Sequence, residues 1–570
     1  MGARVKILSL LFLLIALGIY YKLFYWQIIR GKDLANQSRG QYQASEYIPG
    51  ARGSIFASDG SLLVGPRGVW TLFAIPKELS QGGKSVAEKI APFFTESEED
   101  RQATLVEIDR IDALLSKSEL NWVPIRRRVD RETKVRIESL KIDGLGFEQD
   151  EGRIYSEASS AAQLLGFLGK DERGENLGYF GLEGEYDIAL SSKPGFKIQE
   201  KDARGIPILL GNAKEVSSTT GVSLATHIDK SIQFILEKKI SEGIEKYGAK
   251  ESVAIVMNPK DGAILAMASF PSYDPIRYWE FGDEYFKNPA ISSIFEPGSI
   301  FKILVMAGGL DTGVIKPETK CDICEGPLKI DKYLIETWDK KYQADATMTD
   351  VIVHSNNVGM TFVSQKLGAD SLYDYLHRFG IGEATGIDLQ GEVSGSLRER
   401  GSWNIVDLAV AGFGQGISVT PIQMLGAVSA IANDGELVRP QVVDKLVLGG
   451  WQEDIRPEIG DKVISKKTAD EITSMMVEAA KNGEAKWTNT PGFSVAGKTG
   501  TAQIPIAGHY DEEKTIASFV GFAPAQDPKF VMIVTLREPA SSPWASETAA
   551  PLWYSIAKDL FIHFGIQPEG

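Results

Sequence analysis

Ser299 and Lys302, three residues apart in FEPGSIFK, have the types and spacing for nucleophilic catalysis. One supplies an alcohol that attacks, the other an amine that takes its proton. S-x-x-K alone decides nothing, because it occurs again at Ser555–Lys558, as chance produces in a chain this long. Context separates the two. Pro297-Gly298 suits a tight turn into a helix. IFKILVMAGGL then reads as an apolar helix that stops at its Gly-Gly pair. Ser299 would sit in the first turn, where its N–H is a helix-terminal donor open to a negative charge developing on a substrate oxygen. Lys302 would share its face, and an apolar setting would lower its pKa toward that of a base. Ser555 has no turn before it; it lies on an amphipathic surface helix, with Lys558 in solvent.

S-x-N occurs twice, at Ser355–Asn357 and Ser402–Asn404. The first follows the apolar DVIVH and precedes a helical VGMTFVSQKLG; the second lies in a polar loop. Helix capping is the ordinary use of both. K-T-G occurs once, at Lys498-Thr499-Gly500, on an expected strand. Alternation puts Thr499 and Thr501 on one side. Gly500 between them marks the close approach of a ligand or another backbone. An ammonium and two hydroxyls beside such a gap would hold a carboxylate.

The elements that must position these groups are legible in outline. The chain has 570 residues, too many for one ordinary core. Its net charge of −15, without a long basic run, gives no support to nucleic-acid binding. Cys321 and Cys324 form a lone C-x-x-C, which lacks the second ligand pair of a zinc site and reads as a loop with an optional local disulfide. Ile7 to Ile29 is apolar, with Lys22 its only charge, and is long enough to span a hydrocarbon core. Tyr20, Tyr21, Tyr25 and Trp26 gather at its far end as interface aromatics do. Lacking a cleavage-site pattern, it reads as an uncleaved anchor rather than a signal peptide.

Beyond the anchor, Asp59-Gly60 reads as a hairpin turn. Residues to about 215 mix strands with charged helices such as SEEDRQATLVEIDRIDALLSK and carry no catalytic cluster, so they read as a structural or interaction module. From residue 216 come a strand (VSLATHI), a helix capped by Asp229, and a hairpin from SVAIVMN to AILAMASF. FSVAGKTGTAQ, TIASFVGFAP and FVMIVTLRE read as three successive strands. An amphipathic helix bearing Trp553, Ile556, Leu560, Phe561 and Phe564 follows. A sheet built from both ends of one domain, with helices inserted between, is an α+β layout.

S-x-x-K, S-x-N and K-T-G in that order resemble the signature of penicillin-binding proteins and serine β-lactamases. AIVMNPKDGAILAMASFPSYDP, FEPGSIFK, HSNNVGMTF, GFGQGISVTPIQ and VAGKTGTAQ look like class B penicillin-binding proteins, and RGSIFASDGSLLV and GLEGEYD resemble that family's N-terminal module. FEPGS, SNNVG and GQGISVTP look like its division-type branch. Ile300 departs from the usual threonine after the nucleophile, a matter of packing rather than chemistry. No glycosyltransferase domain is expected before the anchor, nor an extra module after the last strands.

The resemblance implies an α+β fold: a β-lactamase-like transpeptidase domain, an antiparallel sheet flanked by helices plus a helical subdomain. A β-rich N-terminal pedestal and one transmembrane helix complete it. It divides the chain into a cytoplasmic tail (1–6), an anchor (7–29), a pedestal or dimerisation-like module (30–215) and a transpeptidase domain (216–570). The implied activity is peptidoglycan D,D-transpeptidation through a Ser299 acyl-enzyme with release of D-Ala, and the branch implies septal wall synthesis. Ser299, Lys302, Ser355, Asn357 and Lys498 are the implied catalytic residues; Thr499, Gly500 and Thr501 bind substrate. No metal or organic cofactor is implied. Implied partners are stem peptides ending in D-Ala-D-Ala, β-lactams as covalent inhibitors, a membrane glycan polymerase of the shape, elongation, division and sporulation family, and other division proteins. The implied location is the bacterial cytoplasmic membrane, with the catalytic domain outside. The alternatives are a D,D-carboxypeptidase, a β-lactamase, or a β-lactam-binding sensor or scaffold without turnover.

Overall fold

The computed structural model describes residues 2–34, 43–48, 50–95, 101–117, 119–156, 160–200, 213–506 and 509–569. The apolar N-terminal run forms a helix, Gly2–Phe24, continued by a π-helical turn, Tyr25–Ile29. Together they are long and apolar enough to cross a membrane, and none of this surface is buried against the rest of the chain.

A five-stranded antiparallel sheet organises the C-terminal half. Its order is Ile264–Phe270, Glu251–Met257, Phe530–Arg537, His509–Ala523, Ala496–Ile506. The three strands expected near the C-terminus are therefore neighbours, and the hairpin expected near residue 257 joins them through Phe530–Arg537. Two-residue alternation divides the core. In Glu251–Met257, Val253, Ile255 and Met257 face one hydrophobic cluster, while Ala254 and Val256 face another. The second cluster is covered by Lys230–Tyr247, capped by Asp229, and by Ala549–His563. Trp553, Ile556, Leu560 and Phe561 of the latter are buried, with the Trp553 indole N–H donating to Met532 O at 2.9 Å. The first cluster holds the helical subdomain, including the helix Pro421–Ala432, which is buried from Pro421 to Ile431.

The helix after Ser299 departs from expectation. Gly308 and Gly309 do not stop it; Lys302–Asp311 runs through both. A Cβ on Gly309 would stand 2.8 Å from Ile315 Cδ1 and 3.1 Å from Val363 Cγ1. Glycine here serves close packing against neighbouring elements, not termination. Cys321 and Cys324 are joined by a disulfide.

The N-terminal half contains the expected hairpin, Ile55–Phe56 with Leu62–Ala74. The charged segment forms Arg101–Leu115, with residues 96–100 of it lying outside the described residues. A seven-stranded sheet runs across the chain position where composition shifts. Ile55–Phe56 pairs in parallel with Ser223–Thr226, which pairs on its other side with Val443–Leu448. Beside it, Arg52 and Arg153 converge on Glu183, at 2.8 and 2.6 Å, and Arg52 also meets Asp187 at 2.9 Å. Arg52, Arg153 and Glu183 are buried. Tyr186 of this half donates its hydroxyl to Asp388 at 3.0 Å, tying it to the C-terminal half.

Candidate active site

Pro297 is followed by a single 3-10 turn, Gly298–Phe301, that leads directly into Lys302–Asp311. Ser299 lies in this turn, partly exposed on a cavity of about 530 Å³. Lys302, one turn on, is completely buried. Its Nζ meets three oxygens: Ser355 O at 2.6 Å, Asn357 Oδ1 at 2.7 Å and Ser355 Oγ at 3.1 Å. Burial, and next the positive charge of Lys498, hold its pKa well below that of an ordinary lysine.

Ser355 occupies the turn between helices Met348–Val353 and Asn357–Leu367. Its φ of 55° is unusual for a residue with a side chain. Both its carbonyl and its hydroxyl oxygen reach Lys302. Asn356 caps the second helix by accepting from Gly359 N at 2.9 Å, which leaves Asn357 to the site. The Asn357 amide is engaged at both ends, accepting from Lys302 and donating to Glu336 O at 2.9 Å.

The third element arrives from the sheet edge, since Ala496–Ile506 is a terminal strand. Lys498 Nζ donates to Ser355 Oγ at 3.1 Å, so that hydroxyl lies between two lysine nitrogens at equal distance. Burial also lowers the pKa of Lys498, while the carboxylate of Glu484 acts in the opposite direction. Gly500 explains how the strand and the Ser299 turn fit together. A Cβ there would stand 2.7 Å from Ser518 Oγ, 2.9 Å from Ile300 Cγ2 and 3.0 Å from Pro297 O. The close approach expected at this glycine is thus made by the Ser299 turn, and Ile300 is buried in that contact.

Ser299, Ser355, Asn357 and Thr501 line one cavity. Lys302, Lys498 and Thr499 stand behind it, buried. Thr501 Oγ1 accepts from Ala545 N at 3.0 Å. Thr499 is turned inward, donating to Glu484 Oε2 at 2.9 Å and lying 3.1 Å from Lys498 Nζ. The other matches to the short patterns stay apart. Lys558 is exposed on the last helix, and Asn404 caps Ile405–Ala411.

Glu484, Trp338 and Trp544 are among the cavity residues with no counterpart in the motif reading. Glu484 follows the helix Lys466–Asn482 and carries no motif of its own. Trp338 and Trp544 flank the cavity with ring centroids 5.6 Å apart. Large indoles in polar loops are the signal that could have marked the tryptophans. A single glutamate among 76 acidic residues gives none.

The arrangement places the Ser355 hydroxyl where it can pass a proton between two amines, beside the cavity that Ser299 lines. Similarity to known proteins agrees with that chemistry. Residues 252–560 match the family described as penicillin binding protein transpeptidase domain, and residues 47–226 match the penicillin-binding protein dimerisation domain. Stage V sporulation protein D of Bacillus subtilis is 30% identical over 96% of this chain and 84% of its own length. The peptidoglycan D,D-transpeptidase FtsI homolog of Mesostigma viride is 27% identical over 95% of this chain and 92% of its own. The crystal structure of penicillin binding protein 3 from Mycobacterium tuberculosis complexed with aztreonam superposes with a TM-score of 0.70. It is 26% identical, over 92% of this chain and 98% of that one.

Proposed function

The chain belongs to the penicillin-binding proteins, as a class B transpeptidase, and from that premise we propose that Ser299 is the residue it acylates. The enzyme is a serine-type D-Ala-D-Ala transpeptidase. Its substrate is a peptidoglycan stem peptide ending in D-Ala-D-Ala. Ser299 Oγ attacks the carbonyl of the penultimate D-Ala as its proton passes to Lys302 Nζ. The C–N bond to the terminal D-Ala breaks, and the departing amine takes a proton through Ser355, which is replenished from the lysine pair. An amine of a neighbouring stem peptide then attacks the ester. Its proton returns through Lys302 to Ser299 Oγ, and the cross-link is formed.

Developing charge on the carbonyl oxygen is met by the backbone N–H groups of Ser299 and Thr501. Loss of one such donor in other enzymes costs about 3–4 kcal/mol. Lys498 and Thr501 face the substrate carboxylate, with Thr499 and Gly500 shaping that side. Asn357 holds Lys302 and the donor peptide in register. The observation that carries this reading is the placement of the Ser355 hydroxyl 3.1 Å from both Lys302 Nζ and Lys498 Nζ. That geometry suits proton relay between base and leaving group.

The N-terminal helix is the single-pass anchor, in the bacterial cytoplasmic membrane, with everything after it outside the cytoplasm. Residues 30–215 form the pedestal and 216–570 the transpeptidase domain. The division-type resemblance supports work in the septal wall, alongside a membrane glycan polymerase and other division proteins. β-Lactams acylate the same serine.

The test is covalent labelling of the full chain with a fluorescent penicillin, followed by mass mapping of the adduct. Ser299→Ala abolishes labelling and Ser555→Ala leaves it intact. Labelling that survives the first substitution and disappears with the second overturns the assignment. Cross-link formation from polymerised lipid-linked precursor by the purified protein separates transpeptidase from carboxypeptidase, β-lactamase and sensor.

A further inference from the structure

The polar groups of the site form one connected line that begins outside the three motifs. Glu484 Oε2 accepts the hydroxyl hydrogen of Thr499 at 2.9 Å. Thr499 Oγ1, its own hydrogen so committed, is left to accept from Lys498 Nζ at 3.1 Å. Lys498 donates onward to Ser355 Oγ, which meets Lys302. The line therefore has a direction, with an anion at one end and the buried amine beside Ser299 at the other.

Two buried amines share one hydroxyl, and the site works only if they hold different charges. Lys302 must be a free amine to receive a proton from Ser299. Lys498 must be an ammonium to face a carboxylate and donate toward the leaving amine. Within the three motifs each lysine meets only neutral oxygens, so no charge there separates the two. A carboxylate placed on the Lys498 side does. Other charges on the cavity wall have nearer partners: Arg398 meets Asp407 at 3.2 Å, and Glu336 meets Lys340 at 3.9 Å. Glu484 acts electrostatically on both lysines.

We propose that Glu484 is a positioning residue for acyl transfer: acting through the Thr499 hydroxyl, its carboxylate fixes Lys498 as the charged member of the lysine pair and leaves Lys302 as the base. This rests on the roles assigned above to Ser299 and Lys302. Glu484 touches no reacting atom. Desolvation lowers the pKa of both lysines, and Glu484 opposes that at each. For Lys498 it is the charge that opposes burial; for Lys302 it works against Lys498 itself. The same carboxylate adds negative charge beside the surface that receives an anionic substrate end, so it also sets how strongly that end is held.

The test is the pH profile of the second-order acylation rate of the full chain in detergent, from pH 5 to 10, with a fluorescent penicillin as probe. On the alkaline limb the enzyme loses the Lys498 charge; on the acid limb it gains a proton on Lys302. Glu484→Gln keeps an acceptor for Thr499 and removes only the charge. The alkaline limb then moves to lower pH by about one unit, so the rate at a fixed pH on that limb falls about tenfold. Glu484→Asp keeps the limb where it is in the parent, whatever its rate. Glu484→Ala is a second neutral variant and moves the limb as Gln does, should the amide disturb folding; melting curves identify a folded sample. Neutral variants that acylate at Ser299 with an unmoved alkaline limb overturn the proposal and leave the nucleophile assignment standing. An adduct on another residue would instead remove the assignment on which the proposal depends.

Discussion

Lys302 has no exposed surface, although its side chain ends in a group that water would prefer to charge. The folded state therefore binds a proton at Lys302 more weakly than the unfolded chain, whose lysines titrate near 10.5. The sign of the linkage follows. Between the depressed folded value and 10.5 the unfolded state holds more protons, so stability rises with pH across that window. The contribution is a penalty, present in full below the folded value and relieved above 10.5. Lys302→Met removes it. Urea unfolding of the variant is expected to show a flatter rise from neutral to alkaline pH than the parent, while its acylation rate falls by about 10²–10⁴-fold, the worth of a general base. An equal rise in both proteins would mean that Lys302 is not the titrating group. Lys302 was legible from sequence because a short motif with a turn before it implies one local geometry. Glu484 was not, because it meets Thr499 only through tertiary contact and no local spacing encodes that meeting.

Among the elements, strands were easier to read than helix ends. Alternation identified the last three strands, since each buries both faces or one face at a fixed period. The Gly308-Gly309 pair misled because glycine has two uses, ending helices and admitting neighbours, and sequence alone does not separate them. Packing decides here. The helix that begins at Lys302 passes so close to Ile315 and Val363 that a branched side chain at Gly309 has no space. Gly309→Val is expected to lower stability by about 1–3 kcal/mol, the usual range for overpacking. Acylation should slow as well, because displacement of this helix moves Lys302 away from Ser355. Thermal melting and labelling rate measure the two effects. A variant that melts like the parent and labels at the parent's rate would show that the contact has room to give.

For the whole molecule, long-range pairings dominate, and these were the least legible. The strand Ser223–Thr226 ties the amino-terminal hairpin to a strand more than 200 residues downstream. Composition changes near residue 216, but pairing does not respect that change. Arg52, Arg153 and Glu183 lock the same region from within. Removal of Glu183 leaves Arg153 without its bridging carboxylate and Arg52 with Asp187 alone, and breaking a buried ionic cluster in this way costs about 3–5 kcal/mol. Glu183→Ala is expected to lose that much in denaturant unfolding of the full chain; a loss below about 1 kcal/mol would show that water replaces the carboxylate. The sheet order carries a further consequence. Glu251–Met257 lies between Ile264–Phe270 and Phe530–Arg537, and the latter is the last strand in the chain. Until residue 537 has been made, the early hairpin has no inner neighbour and the Lys498 strand has only His509–Ala523 beside it. Such distant pairings form late. A chain truncated before Phe530–Arg537 is therefore expected to leave the early hairpin and the Lys498 strand unjoined, and to take no penicillin label.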